Sequence, residues 1–159
     1  MVAMFRLHTR LFVNTIEEMT EEQATNQLTE DNNHAAWMAG HLLSTRYMMV
    51  NLMGGRESEP NPELFEQGKG IIPEADYPDL ATIKSNWMAI SEKMVAKLES
   101  LTEEQLSEES PLPTPIGGKE MRDTIAFFCH HEAYHIGQLG FLRKSLGLDA
   151  MKYLSLIHI

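Results

Sequence analysis

Between Lys119 and Leu146 the chain carries an apolar pattern that only a long helix can bring into line. Met121, Ile125, Phe128, Glu132, His135, Leu139, Leu142 and Leu146 recur at alternating spacings of four and three, the stripe with which a helix faces a core. Two of these positions, Glu132 and His135, are polar. A carboxylate and an imidazole in a buried stripe need partners, because a buried polar group costs free energy unless it is satisfied. His131 stands one turn before His135. At roughly 100° per residue the two rings lie about 40° apart on one face, so both can reach one ion. A helix of this length must bury its stripe against other elements, and the rest of the chain supplies them.

Residues 3–18 read as a first helix. Met4, Leu7 and Leu11 form one edge of its apolar face, and Phe5, Phe12, Ile16 and Met19 the other. Thr20-Glu21-Glu22-Gln23 is a capping-box pattern that starts a short helix. Asp31 or Asn32 then caps a second long helix over 33–53, ended by Gly54-Gly55. Residues 54–78 hold four glycines and four prolines. They predict a long surface crossover, with one short helical turn around Glu63 to Gln67. A connection that long lets the two helices it joins lie parallel. Asp79 caps a third long helix to Leu101, striped by Leu80, Ile83, Trp87, Ile90, Met94 and Leu98. Thr102-Glu103-Glu104-Gln105 is a second capping box. The loop 110–118 leads into the fourth helix, Lys119 to Leu146, which Gly147 stops. Four long amphipathic helices with no alternating strand predict an all-α four-helix bundle.

The two halves repeat one another. Each capping box follows a long helix, and His34 to Leu42 can be laid on His131 to Leu139 with agreement at the first His, the second Ala, the aromatic, Gly and Leu. Arg46 then matches Arg143. The last six residues, Leu154 to Ile159, are unlike the rest. They read as a translated library adaptor, which leaves one domain over 1–153 and an artefactual tail.

Composition bounds the function. A net charge of −10 on 159 residues opposes a phosphate-binding surface, so neither nucleic acid nor an anionic membrane is an expected partner. No segment is apolar enough to span a bilayer, and the N-terminus lacks a signal pattern. The single cysteine, Cys129, forbids an intrachain disulfide, and the expected compartment is the cytoplasm. Cys129 lies roughly 160° round the helix from His131 and reads as packing.

Two histidines are too few for a catalytic metal, which commonly has three protein ligands and an open position. The second helix offers His34 and His41, about 10 Å apart along its axis. Only one can join His131 and His135. His41 is mid-helix on the inward stripe beside Trp37 and Ser44. His34 falls in the first turn, where exposure is expected, so His41 is preferred.

Gly40-His41-Leu42, followed in the fourth helix by His131-Glu132-Ala133-Tyr134-His135-Ile136-Gly137-Gln138-Leu139, resembles the DinB/YfiT-like family of metal-binding four-helix bundles. The resemblance runs to about Gly147. It implies a divalent ion, zinc or nickel, on His41, His131 and His135, and a homodimer. It also implies a metal-dependent transferase or isomerase that uses a low-molecular-weight thiol such as glutathione, mycothiol or bacillithiol on an electrophilic small molecule. Members without a known reaction make a non-enzymatic metal-binding role in stress response the alternative.

His131-Glu132-x-x-His135 also spells the zincin motif, in which the glutamate is the general base of a hydrolase. The longer metzincin pattern needs Gly at 138 and His at 141, where this chain has Gln138 and Phe141. Glu132 therefore carries two readings. It is a proton acceptor or an acceptor for an imidazole N–H at the site, or it faces a neighbouring helix and pairs with Arg46 or Arg143.

Overall fold

The computed structural model of the chain describes residues 1–65, 68 and 70–153. Among them the helices are α1 Val2–Ile16, α2 Glu21–Thr25, α3 Ala35–Leu52, α4 Leu80–Ser100, α5 Glu103–Ser107 and α6 Met121–Ser145. The long four form a bundle in which α1 and α3 each pack against both α4 and α6. The crossover joins parallel helices, as its length predicts. His34 at the start of α3 meets Tyr77, just before α4, with ring centroids 4.9 Å apart. At the other end Lys97 of α4 donates to the Gly54 carbonyl at 3.1 Å. No described helix is long and apolar enough to cross a membrane.

Local chemistry fixes the helix ends. Both capping boxes form: Thr20 accepts from the Gln23 N–H at 3.2 Å and Gln23 accepts from the Thr20 N–H at 3.0 Å. Thr102 and Gln105 do the same at 3.2 and 3.0 Å. Asp79 caps α4 by accepting from the Thr82 N–H at 2.6 Å. Gly54 and Gly147 take φ of +82° and +84° just beyond α3 and α6, a conformation in which glycine meets no Cβ clash. The cap of α3 corrects the expectation. Asn32 is engaged in its own turn, where its carbonyl accepts from the Thr29 N–H at 2.5 Å. The cap is His34, whose Nδ1 accepts from the Trp37 N–H at 3.0 Å, and α3 begins two residues later than predicted.

The buried face of α6 consists of Met121, Thr124, Ile125, Glu132, Ile136, Leu139, Leu142 and Arg143. Beyond Glu132 the core position is Ile136, and His135 sits on the margin of the stripe. A straight helix of 3.6 residues per turn drifts from a strict alternation of four and three. In α1 the second predicted edge, Phe5, Phe12, Ile16 and Met19, is buried; of the first edge Leu11 is buried, Leu7 is partly buried and Met4 is exposed. At the centre Phe12 stacks on Trp87, centroids 4.1 Å apart, and the Arg46 guanidinium lies 3.6 Å over the same indole.

The crossover folds back onto α3. A short 3-10 turn forms at Pro62–Leu64, and Phe65 is buried behind it. A Cβ on Gly40 would stand 2.0 Å from the Phe65 ring, so glycine is required for this approach. Glycine inside a helix costs about 1 kcal/mol relative to alanine. Burying a phenyl ring contributes about 1.5–3 kcal/mol, which outweighs it. Glu66 and Gln67 of the predicted turn, and the tail Leu154 to Ile159, lie outside the described residues.

Candidate metal centre

The antiparallel contact of α3 with α6 brings His41, His131 and His135 together. One ring nitrogen from each lies within 4.8 Å of the other two. The Nε2 atoms of His41 and His131 are 3.2 Å apart. Ring centroids are separated by 5.1 Å for His41 and His131, 5.0 Å for His41 and His135, and 4.5 Å for His131 and His135. Nitrogens about 2.0–2.1 Å from a tetrahedral zinc stand roughly 3.3 Å from one another. The donor set and spacing therefore fit one divalent ion.

The electrostatics agree. Burial, with the neighbouring His135 and His131 added to it, lowers the pKa of His41 to about 4. Burial, with His135, likewise lowers His131 to about 4. Burial lowers His135 as well, against a hydrogen bond to Gln138 that raises it. All three rings are neutral at pH 7, the form that ligates a metal.

Second contacts orient the rings. Gln138 Oε1 faces His135 Nδ1 at 2.7 Å, and the amide nitrogen donates to the Tyr134 hydroxyl at 3.0 Å. A carbonyl oxygen only accepts, so Nδ1 carries the hydrogen and Nε2 keeps its lone pair for the site. Trp37 stacks on His41 with centroids 5.0 Å apart and planes within 5°.

Glu132 points elsewhere. It is 1% exposed and accepts from Arg46 Nε at 2.7 Å and Nη2 at 3.0 Å, with His8 Nδ1 at 3.2 Å from the same carboxylate. Arg46 continues to Thr9 at 2.8 Å, to the Phe5 carbonyl at 3.2 Å and to Ser91. Burial alone would raise the Glu132 carboxyl. The charge and hydrogen bonds of Arg46, with His8, outweigh it and hold the carboxyl below the usual range. Of the two readings of Glu132, the geometry follows the pairing with Arg46. No hydrogen bond joins this carboxylate to the three site histidines among the described residues.

The remaining candidates separate cleanly. His34 is buried, against the expectation of exposure, and serves as the α3 cap. His130 is exposed on α6. Cys129 is half-buried against the core, where burial and then Glu132 push its thiol up. Arg143 bonds the Asp149 carbonyl at 2.6 Å and the Glu17 carbonyl, so the two arginines matched in the repeat do different work. Sequence reasoning missed His8. Its signal was a polar residue among the apolar positions Phe5, Leu11 and Phe12 of α1, the same kind of interruption that flagged Glu132.

Two clefts open beside the histidines. One of about 660 Å³ is lined by His41 and His131 with Met48, Glu59, Phe65 and Phe128. The other, of about 710 Å³, is lined by His135 with Gln138, Tyr134, Met38 and Phe141.

Comparison with known proteins agrees with this architecture. The family model described as the DinB superfamily matches residues 4–139. The uncharacterized protein YjoA of Bacillus subtilis (strain 168) is 28% identical over 147 residues, covering 92% of this chain and 88% of that protein. The crystal structure of YjoA, a DinB-like protein, superposes with a TM-score of 0.67 at 23% identity, over 95% of this chain and 94% of that one. YfiT from Bacillus subtilis, described as a probable metal-dependent hydrolase with an unusual four-helix bundle topology, superposes with a TM-score of 0.69 at 13% identity, over 93% of this chain and 86% of that one.

Proposed function

The chain belongs to the DinB superfamily, and we propose that it is a metal-dependent transferase that joins a low-molecular-weight thiol to an electrophilic small molecule. His41, His131 and His135 would hold the ion, zinc or nickel by the character of the donors. A divalent ion at this position supplies the positive charge that keeps a thiol ionised at neutral pH. The observation that carries the reading is the placement of the three histidines between two clefts, with His41 and His131 on one and His135 on the other. Two reactants can then reach one centre from separate sides, which lowers the entropic cost of bringing them together.

The contacts of Glu132 oppose the zincin form of water attack. Water attack in the zincin manner needs a carboxylate beside the metal, and Glu132 is engaged with Arg46 and His8 instead. A thiol ionised by coordination needs no such base. Gln138 holds the His135 tautomer, and Trp37 holds the His41 ring.

One observation favours a second reading, hydrolysis, because YfiT is described as a probable metal-dependent hydrolase. The two are separated by incubating zinc- or nickel-loaded protein with thiols and electrophiles, and in parallel with ester and amide substrates, and identifying products by mass spectrometry. Thiol conjugates that form in wild type and not in His135→Ala support the transferase. Hydrolysis without thiol dependence supports the second reading. Inactivity of fully loaded protein across both panels moves the assignment to a non-enzymatic metal-binding role.

A further inference from the structure

The cleft against His41 and His131 is apolar over most of its wall, with Met48, Phe65, Leu112, Phe127 and Phe128 among its lining. One lining residue is charged among the described ones. Glu59, from the crossover, carries an Oε1 that is buried and has no hydrogen-bond partner among the described residues. A buried acceptor left without a donor costs free energy, and more when it is ionised. Lys93 of α4 pairs with Glu57, two residues earlier in the crossover, at 2.6 Å. The loop before α6, which lends Leu112, Pro113 and Pro115 to the same cleft, holds a second buried oxygen with no partner among the described residues, Thr114 Oγ1. A carboxylate that faces a cleft beside a metal site, in an otherwise apolar wall, is satisfied when a ligand brings the donor.

We infer that this cleft selects a small molecule bearing a primary ammonium group, which pairs with Glu59 while the rest of the ligand lies on the aromatic wall between Phe65 and Phe128. The inference rests on the proposed function for its geometry, because the ammonium is placed so that the ligand's other end reaches His41 and His131. It adds what that function leaves open, the charge of the reactant in this cleft. The net charge of −10 draws cations toward the protein as a whole. The local carboxylate makes the selection.

The test uses two probe sets on cobalt-loaded protein. The first is cysteamine, 2-mercaptoethanol and 3-mercaptopropionate, read by the thiolate-to-cobalt charge-transfer absorption. The second contains no thiol: phenethylamine, 2-phenylethanol and 3-phenylpropionate, read by calorimetry. In each set the ammonium compound binds about tenfold tighter than the neutral one, the magnitude of one hydrogen bond to a charged group. The carboxylate compound binds weakest. Glu59→Gln removes the ammonium preference, and Glu59→Lys reverses the order in favour of the carboxylate. Equal affinity for the three members of both sets in the wild type overturns the inference without any variant. An unchanged ammonium preference in Glu59→Gln that retains its cobalt overturns it too. If no thiol raises the charge-transfer band, the thiol reading falls, and the ammonium selection is decided by the second set alone.

Discussion

Glutamine at position 132 would keep the size of the side chain and remove its charge. Glu132 and Arg46 are each 1% exposed, joined at 2.7 and 3.0 Å. In Glu132→Gln the guanidinium keeps Thr9 and the Phe5 carbonyl but loses its counter-charge deep in the bundle. Breaking a buried pair from one side costs about 3–5 kcal/mol. For a chain of this length 1 kcal/mol moves the melting temperature by about 2–4 °C, so the variant melts roughly 6–20 °C lower. The assay is thermal melting of metal-loaded protein beside turnover of whichever substrate the screen identifies. Reduced turnover should follow reduced stability and recover when the assay is cooled. A Glu132→Gln variant that melts within about 1 °C of wild type and has no turnover would refute the assignment of this carboxylate to the core. It would make Glu132 a reacting group.

Three further outcomes follow from the site. His41→Ala, His131→Ala and His135→Ala each lose most of the divalent metal by elemental analysis, while His130→Ala keeps it. His34→Ala keeps it too, at a stability cost of about 1 kcal/mol for the lost cap; an empty site in His34→Ala would mean that the wrong histidine of α3 was chosen. In metal-free protein the folded pKa of His41 and of His131, about 4, lies below the ordinary value of 6.5. The unfolded chain therefore binds more protons between these limits, and stability falls as pH drops from about 6.5 to about 4; a urea midpoint flat over that window contradicts it. Gln138→Leu removes the acceptor that fixes the His135 tautomer and lowers metal affinity about 10–100-fold, measured by chelator competition.

The fold was legible because its signals are local. Stripes of period 3.6, two Thr-x-x-Gln boxes, Asp79 before α4 and Gly147 after α6 each act within one turn, and the structure contains all of them. The errors arose where a side chain had two possible duties. Asn32 has the chemistry of a helix cap and spends it on Thr29, so His34 takes the cap and is buried. His135 fits a stripe of fours and threes, but a regular helix turns Ile136 into the core instead. The partner of Glu132 was narrowed to two arginines by sequence. Helix geometry excludes Arg143, which lies about 16 Å further along the same helix; the contact with Arg46 needed the bundle order, since only a ring in which α3 adjoins α6 brings it to Glu132. His8 interrupts the apolar face of α1 and could have been flagged; Glu59 was illegible for a related reason. A lone polar residue shows its meaning only when a distant helix or cleft arrives beside it.

The arrangement of α6 ties the core pair to the metal centre. His131 and His135 each directly precede a core residue, Glu132 and Ile136, so the ligands sit roughly 100° round the helix from the buried stripe. A rotation of α6 by one residue would carry the histidines into the place of the buried stripe. Apolar contacts resist such a rotation weakly, because one buried hydrophobe substitutes for another at modest cost. The two hydrogen bonds between Arg46 on α3 and Glu132 on α6 resist it strongly, because a planar guanidinium meets a carboxylate edge to edge in a fixed geometry. His41 lies on the same helix as Arg46. The pair that fixes the rotation of α6 against α3 therefore also sets the distance from His41 to the other two ligands. This reasoning separates stability from registration. Arg46→Met combined with Glu132→Leu replaces the pair with apolar groups of similar volume and should recover most of the stability lost in Glu132→Gln, as buried pairs commonly allow. It should nevertheless hold the metal about 10–100-fold more weakly, the scale of losing an orienting contact, because the fixed angle is gone. A double variant that melts like wild type and also binds metal as tightly would show that packing alone sets the register of α6.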